Sequence, residues 1–288
     1  MKNTLYNALV LFIVSAVIIS ALPMASALSL KERNANWVNE YYDAKAKYTT
    51  ALNEWEKDRQ HWLYSTDKVQ DLKDLKRTNA FFTQAQEFEL SALNVMDTHN
   101  DVYIVWAENI VFESEDLRKE VLDQLYYNRA KIEDLKENVL NAQNGQELVD
   151  ESKKVKDYWF EQRESTKWIS GVLLSQRAIY VLSKAEWSAD EMQERLDKES
   201  DVRFTSEDKL YLQSIIDDYR EKIAQAEAEY LKGVNSFERV SKVREANELT
   251  NDGHEFIKSG NRYMEDAHAD LVEFVKEFKS RSIPPHIQ

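Results

Sequence analysis

The sequence predicts an all-α protein, an elongated antiparallel bundle of about six long helices, and three observations predict this class. The chain has 288 residues but only three prolines, at positions 23, 284 and 285, so no proline interrupts residues 24–283. Proline costs a helix interior ~3 kcal/mol, and its absence permits very long helices. Apolar residues recur at alternating spacings of three and four, the coiled-coil period. The composition, 31% charged and 43% hydrophobic, is typical of amphipathic helices.

The N-terminal segment, residues 1–27, is predicted to be a cleaved signal peptide. Lys2 precedes an uninterrupted apolar run over residues 8–22, and an Ala-x-Ala pattern ends at Ala27, before Leu28. The run is short for a membrane span of ~20 residues. We therefore expect a secreted or extracytoplasmic protein. The alternative is an uncleaved N-terminal helix that anchors the chain, and only that alternative gives the protein a membrane contact.

The first two predicted helices form a hairpin. The first covers residues 29–64, and its apolar seam contains Leu30, Trp37, Val38, Tyr41, Ala44, Tyr48, Leu52, Trp55 and Trp62. Residues 65–67 are predicted to be a loop that caps the second helix. The second helix runs to about Phe112, with a seam of Leu72, Leu75, Phe82, Ala85, Phe88, Ala92, Met96, Tyr103, Trp106 and Ile110.

The third and fourth helices follow in the same pattern. Ser114, followed by two acidic residues, predicts the start of the third helix, and Asn144-Gly145 predicts its end, with glycine in a left-handed C′ conformation. The fourth helix is expected to run unbroken from Gln146 to about Ser200, past Gly171. Its seam contains Leu148, Val155, Trp159, Trp168, Ile169, Leu173, Tyr180 and Trp187. Ser188 is the alternative position for a break.

The fifth and sixth helices complete the bundle. Thr205, with Asp208 three residues later, predicts the start of the fifth helix, and residues 233–236 predict its end. The sixth helix is expected to begin near Phe237 and to end before Ile283.

An internal repeat relates two parts of the chain at an offset of 91 residues. Ser114 corresponds to Thr205, Ile132 to Ile223 and Asn144 to Asn235. We expect Leu140/Leu231 and Val149/Val240, like Ile132/Ile223, to face inward. The predicted division is a hairpin region over 28–84, three-helix repeats over 85–175 and 176–280 that share the long fourth helix, and a tail over 281–288. By analogy of architecture, this resembles the continuous-helix joints of spectrin-type repeats; a compact six-helix bundle is the alternative.

Three stretches carry a resemblance. They are YDAKAKYTTALNEWEK at residues 42–57, I-x-x-L-K-E-x-V-x-N-A-x-x-G-x-E-L at residues 132–148, and W-x-x-x-R at residues 159–163. Together they resemble uncharacterised secreted all-helical proteins of archaeal type. The resemblance implies an archaeal cell-envelope or secreted protein and brings no active site with it.

Charge and cysteine content exclude several classes. The net charge of −14 disfavours nucleic acid and anionic lipid as partners, because both require a basic patch. The chain contains no cysteine, which excludes disulfides, thiolate metal sites and thiol catalysis. The sequence has no phosphate loop and no serine-hydrolase motif.

The weak metal-site candidate is Glu265-x-x-His268. A di-metal bundle site requires two such motifs and two further glutamates, and the sequence contains one Glu-x-x-His. We therefore expect no metal, no cofactor and no enzymatic activity. A metal-dependent bundle enzyme is the remotest alternative.

Aromatic side chains supply the candidate partner surface. Most lie at seam spacing and are expected in the core, but Trp37, Tyr41 and Tyr42 near the mature N-terminus are an alternative, exposed surface. The apolar stretch 168–182 is expected to be a buried junction, with membrane insertion as the alternative. The sequence thus favours an acidic, non-catalytic structural or interaction protein of the cell envelope, with protein partners or self-association. The alternative is a ligand-binding or sensory bundle.

Overall fold

The computed structural model describes residues 35–67, 79–199, 204–240 and 246–281, and these ranges form six α-helices and no strand. The predicted all-α class is thereby confirmed. The helices have 27 to 53 residues each. In chain order they are α1 (Ala35–Asp67), α2 (Asn79–Asn109), α3 (Glu115–Asn141), α4 (Gly145–Asp197), α5 (Ser206–Val240) and α6 (Ala246–Arg281).

The helices divide into two compact units. In described residues, the first unit contains 35–67, 79–183, 230–240 and 246–254, and the second contains 184–199, 204–229 and 255–281. The first unit therefore holds α1, α2, α3, most of α4 and the hairpin ends of α5 and α6. The second unit holds three helical segments, one each from α4, α5 and α6. The domain boundaries drawn from the sequence stay a prediction.

Helix starts are set by side-chain caps. The Ser114 hydroxyl accepts a hydrogen bond from the backbone N–H of Leu117, at 3.4 Å. Thr205 and Asp208 form a reciprocal capping box: the N–H of Asp208 donates to the Thr205 hydroxyl, and the N–H of Thr205 donates to the Asp208 carboxylate, each at 3.1 Å. Both predicted caps are confirmed.

The turn between α3 and α4 differs from the prediction. Helix α3 ends at Asn141, and its C-cap residue Ala142 is extended, with φ −59° and ψ 127°. Gly145 is the first residue of α4, so its predicted role as a left-handed C′ residue is wrong. Asn144 is the N-cap instead, because its side-chain oxygen accepts hydrogen bonds from the N–H groups of Gln146 and Glu147, both at 3.1 Å.

Helix α4 is continuous over 53 residues, as expected. At the alternative break, the Ser188 hydroxyl donates to the backbone carbonyl of Lys184 at 2.9 Å, a bond that a serine makes inside a helix. Within the apolar stretch 168–182, Ile169 and Leu173 are fully buried. Among the described residues, no helix combines the length and the apolar character that crossing a membrane requires.

Helix α5 continues through residues 233–236, so the end predicted there is wrong. The helix reaches Val240, and α6 begins at Ala246 rather than near Phe237. Packing explains the extension. The Phe237 ring is buried between α4 and α6, where a Cβ atom on either Gly171 or Gly253 would lie 2.6 Å from a ring carbon. The two glycines thus create the space that holds the last turns of α5.

The repeat is visible in the buried faces of α3 and α5, which start 91 residues apart. Six positions of each helix are buried at the same offset, and α5 is eight residues longer because it has 35 residues and α3 has 27. The pairs are Val121/Leu212, Leu125/Ile216, Asn128/Tyr219, Ile132/Ile223, Leu135/Ala226 and Val139/Tyr230.

Several residues expected to face inward are exposed. Leu140 and Leu231 are 58% and 55% exposed, and Val149 is 36% exposed; the side chain of Val240 lies outside the described set. Leu140 directly follows the seam residue Val139, and Val149 directly follows the seam residue Leu148. One residue is a rotation of about 100° on a helix, which places the neighbour of a buried residue outside.

The remaining boundaries shift slightly. Residues 65–67, predicted to be a loop, form the last turn of α1, and α2 ends at Asn109 rather than near Phe112. The expected start of the first helix at Ser29, residues 68–78 and residues 282–288 lie outside the described residues.

Candidate interaction surface

Helix α1 packs along one face of α2 through aromatic rings. The ring centroids of Tyr48 and His99 are 4.8 Å apart, and those of Tyr41 and Trp106 are 6.5 Å apart. Near the other end of the hairpin, the Phe88 ring stacks on both Trp55 and Trp62 of α1, at 6.4 and 6.1 Å. The contacted α2 positions 88, 99 and 106 lie on one stripe of the helix, which α1 covers.

His99 lies between two tyrosines of this contact. Its ring is 4.8 Å from Tyr48 and 5.0 Å from Tyr103, and its buried Nε2 atom has no hydrogen-bond partner. Burial without a partner disfavours the charged imidazolium and lowers the pKa of His99 to about 4. Burial likewise raises the pKa of Tyr48 to about 12. This contact is therefore built for a neutral histidine.

A second titratable group with a shifted pKa is the carboxyl of Glu89, a half-buried residue on α2. Burial raises its pKa to about 7, and a hydrogen bond with the Ser152 side chain on α4 opposes the shift in part. Most of the stretch around it is apolar, since Leu93 and Met96 on the next turns are fully buried. Glu89 is thus a titratable group close to neutrality inside the first unit.

Amide side chains link α2, α3 and α4 inside the first unit. The Asn100 side chain donates to the carbonyl of Leu125 at 2.9 Å, and the Asn128 side chain lies within 3.5 Å of the Asn100 oxygen. The Tyr158 hydroxyl of α4 donates to the carbonyl of Asn128 at 3.2 Å. Because each amide has a partner, these buried groups fix the register of three helices.

The second unit lacks a counterpart of α1 among its described residues, and its α4 segment can be aligned with α2. The buried residues Leu93, Asn100 and Ile104 of α2 correspond to the buried Ala185, Met192 and Leu196 at an offset of 92, one residue more than the offset of 91 between α3 and α5. This alignment places Trp187 at the position of Val95. Val95 is 1% exposed on the stripe that α1 covers, whereas Trp187 is 61% exposed. The expectation that Trp187 belongs to the core is therefore wrong.

The same alignment defines the rest of the uncovered face. Glu191 corresponds to His99, Glu194 to Val102 and Lys198 to Trp106. We call Trp187, Glu191, Glu194 and Lys198 the α4 outer face. Glu194 and Lys198 are exposed and paired, and Glu191 lies 3.8 Å from Arg195. The residues that would lie under a fourth helix are thus one indole and several charged groups.

The predicted partner surface is only partly exposed. Tyr42 is 50% exposed, but Trp37 is half-buried, and Tyr41 packs against Trp106. Burial also raises the pKa of Tyr41. The three residues therefore do not form one exposed group: Tyr41 belongs to the contact between α1 and α2, and Tyr42 points to solvent.

The candidate metal pair lies on α6. Glu265 is exposed and His268 is half-buried, with a buried Nδ1 atom that makes no hydrogen bond. Within the described ranges, no group of three or more His, Cys, Asp or Glu side chains could hold a metal ion. The predicted cleavage site between Ala27 and Leu28 lies outside those ranges.

Two open depressions lie on the outer face of α3. One, of about 460 Å³, is lined by side chains that include Asp116, Glu120 and Tyr127; the other, of about 550 Å³, includes Glu133 and Leu140. Each is formed by residues of α3 alone. They are shallow features of one helix surface, in contrast to a pocket between helices, which is the usual form of a small-molecule site in a bundle.

Comparison with known proteins adds no relative: the chain matches no protein-family model, no curated protein and no solved structure.

Sequence reasoning missed the half-buried Glu89, His99 with its buried Nε2 atom, and the buried Asn128. A polar residue at a seam position is the signal that could have found them. Asn128, for example, lies three residues after Leu125 and four before Ile132, where an apolar side chain is expected. The exposed Trp187 could not be found in this way, because its spacing also fits a seam.

Proposed function

We propose that the chain is a non-catalytic structural or interaction protein that works outside the cytoplasm, at the cell envelope, by docking protein partners on its helix faces. The observation that carries the proposal is Trp187, which is 61% exposed on a continuous helix at a position that the first unit covers with its own α1.

Exposed indoles of this kind favour a binding role. Tryptophan is enriched in protein interfaces and among the residues that dominate binding energy, because it buries a large area with little loss of conformational freedom. A helix also holds the side chain in place before binding, which lowers the entropic cost of association. The neighbouring carboxylates Glu191 and Glu194 supply charge for specificity.

The proposed location rests on the N-terminal segment. Lys2, the apolar run over residues 8–22 and the pattern that ends at Ala27 are the three parts of a secretory signal. Mass spectrometry of the natural protein tests this. A chain that begins at Leu28 supports export, and an intact N-terminus in the membrane fraction supports the anchored alternative.

Crosslinking tests the interaction role. The protein is treated with a lysine-reactive crosslinker in envelope extracts, and linked peptides are mapped by mass spectrometry. Reproducible links between the described helices and one other protein support the proposal. Recovery of the chain without any linked protein, under conditions in which known envelope complexes are linked, contradicts it.

A ligand-binding or sensory bundle is the second candidate, and His99 favours it. A histidine with a buried, unbonded Nε2 atom is neutral in this packing, and a change in packing that admits water would raise its pKa from about 4 towards 6.5. NMR of the His99 ring during addition of small-molecule extracts tests this candidate. Specific shifts of the His99 signals favour a sensory role, and unchanged signals count against it.

A further inference from the structure

We propose that the α4 outer face binds a basic amphipathic helix from a protein partner, with Trp187 as the apolar anchor and Glu191 and Glu194 as the groups that select positive charge. This inference rests on the proposed interaction function and names the class of partner.

The first unit indicates the form of the occupant. There, the equivalent stripe of α2 is covered by α1, whose aromatic rings contact Phe88, His99 and Trp106. The second unit repeats the buried seam of α2 in its α4 segment but has no such helix among its described residues. A helix is therefore the element whose shape fits this stripe.

Charge indicates the composition of the occupant. Glu191 and Glu194 follow Trp187 by four and seven residues, so they lie on the same face of α4. Glu186 and Asp190 add two exposed carboxylates at its edge, of which Asp190 lies 3.5 Å from Arg220 on α5. A helix with lysine or arginine beside one apolar stripe would place cations against these carboxylates and an apolar side chain against the indole.

The ion pairs that these glutamates make within the chain can be replaced by ion pairs with a partner. Glu191 lies 3.8 Å from Arg195, one turn further along α4, and Glu194 is paired with Lys198, one residue beyond the end of α4; Glu191 is half-buried and the other three residues are exposed. Exposed pairs of this type contribute little to stability. A partner's cations can therefore replace Arg195 and Lys198 as neighbours of the two glutamates without disturbing the fold.

The same charges argue against two other occupants. A second copy of the chain would bring a net charge of −14 against another −14, with carboxylates facing carboxylates. Helix α1 of another copy would place its apolar rings, such as Tyr48 and Trp55, against charged groups. In its own unit, Tyr48 contacts His99, but the corresponding residue on α4 is Glu191.

Three labelled peptides of about 18 residues, or five helical turns, test the proposal with the full chain. The first is a cationic amphipathic peptide of lysine, leucine and alanine. The second has the same composition in a scrambled order without an apolar face, and the third carries glutamate in place of lysine. Fluorescence anisotropy measures the Kd of each peptide at about 0.05 and 0.5 M salt.

Wild-type protein is expected to bind the first peptide at least about tenfold more tightly than either control peptide. Trp187→Ala should weaken this binding by about tenfold or more. The double variant Glu191→Gln, Glu194→Gln should weaken it at low salt and reduce its salt dependence. The matched control is Phe160→Ala, which removes a 42% exposed aromatic ring from the part of α4 that belongs to the first unit and should leave the Kd unchanged. Circular dichroism verifies that each variant keeps its helical content.

Equal binding by wild type and Trp187→Ala would overturn the proposal, as would equal affinity for the cationic and acidic peptides. Sedimentation equilibrium provides another arm: a wild-type dimer that Trp187→Ala converts to a monomer would assign the face to a second copy, and would also overturn it. If crosslinking in extracts links a partner equally to wild type and to Trp187→Ala, this inference fails while the proposed interaction function stands. If crosslinking links no partner at all, the proposed function fails as well.

Discussion

Replacing Gly171 with alanine is expected to destabilise the first unit, although alanine is the better helix former. A Cβ atom on Gly171 would lie 2.6 Å from Cγ and Cδ1 of Phe237 and 2.7 Å from its Cβ. Non-bonded carbon atoms pack at about 3.5–4.0 Å. The phenyl ring or helix α4 would therefore have to move by about 1 Å inside a close-packed interior.

Two opposing terms set the magnitude of this effect. Adding a methyl group to a packed core costs about 1–3 kcal/mol, whereas removing glycine from a helix interior gains about 1 kcal/mol. The ring has little room to retreat, because Phe237 is 3% exposed and a Cβ on Gly253 would lie 2.6 Å from its Cε1. We therefore expect Gly171→Ala to lower the free energy of unfolding by about 1–2 kcal/mol.

The assay is urea unfolding of the full chain, followed by far-ultraviolet circular dichroism and by tryptophan fluorescence. Coincidence of the two transitions establishes whether a single free energy of unfolding is defined. The matched control is Gly145→Ala, at the first residue of the same helix, for which we expect a change within about 0.5 kcal/mol.

The same substitution in a variant that lacks the Phe237 ring tests whether this ring causes the penalty. Phe237→Ala removes the ring and alone should cost about 3–5 kcal/mol. In that background the penalty of Gly171→Ala should be smaller, because Cγ and Cδ1 of the ring are absent, although alanine keeps the Cβ atom that would lie 2.7 Å from the new methyl group. Where the alanine variant does not fold, Phe237→Leu takes its place, with a reduced penalty expected for Gly253→Ala. An equal penalty for Gly171→Ala in both backgrounds would refute the reasoning.

Three further perturbations have defined outcomes. Glu89→Gln should stabilise the chain at about pH 8 by on the order of 1–2 kcal/mol, measured by thermal unfolding. The raised pKa of Glu89 means that its contribution to stability is present below 4.5 and is lost as the pH rises through about 7. The pKa of His99 is lowered, so its contribution to stability is fully present above pH 6.5 and is lost as the pH falls towards about 4. His99→Phe should therefore reduce, by about 2 kcal/mol, the loss of unfolding free energy that accompanies a fall to acidic pH. Thr205→Ala should cost about 1 kcal/mol in urea unfolding, because it removes the cap that bonds to Asp208.

Matched controls accompany these variants. Glu87 is exposed on the same helix, so Glu87→Gln should not change stability at about pH 8 or at acidic pH. Equal effects of Glu87→Gln and Glu89→Gln would contradict the role of burial. His61 is exposed, so His61→Phe should leave the loss of stability at acidic pH unchanged. Ser206 lies one residue beyond the cap, so Ser206→Ala is the control for Thr205→Ala. If both variants lose the same free energy of unfolding, the hydrogen bond to the Thr205 hydroxyl is not the cause.

The helix faces could be predicted wherever one spacing pattern repeats over many turns. The seam through Val121, Leu125 and Ile132 recurs in α5, and every member of both sets is buried. The caps Ser114 and Thr205 were also predictable, because a cap depends on neighbouring residues alone.

Features that depend on distant residues were not predictable. Residues 233–236 contain glycine, asparagine and serine, which locally favour a helix end. The helix continues because Phe237 enters a space formed by Gly171 and Gly253, far away in sequence. Leu140 shows the other limit: being apolar does not decide which way a residue faces when its neighbour already occupies the seam.

The candidate surface was the least predictable feature. Trp187 fits the seam spacing of α4, which predicts a core position, but the structure leaves it 61% exposed. Of the predicted surface, Tyr42 is exposed and Tyr41 is used in packing. Exposure of an aromatic ring depends on whether another helix lies over it, which spacing within one helix does not encode.

The difference between Asn128 and Tyr219 has a consequence for folding fidelity. The two residues occupy the same position of the repeated seam, so α3 and α5 could otherwise exchange places during folding. In the first unit the Asn128 amide meets Asn100, whereas in the second the Tyr219 hydroxyl donates to the carbonyl of Ala185 at 3.2 Å. An exchanged helix would leave a buried amide without a partner or force a phenol into the space of an asparagine. Each copy of the repeat thus has a buried polar residue that fits only its own unit. For this reason the duplicated sequence still specifies a single arrangement of helices.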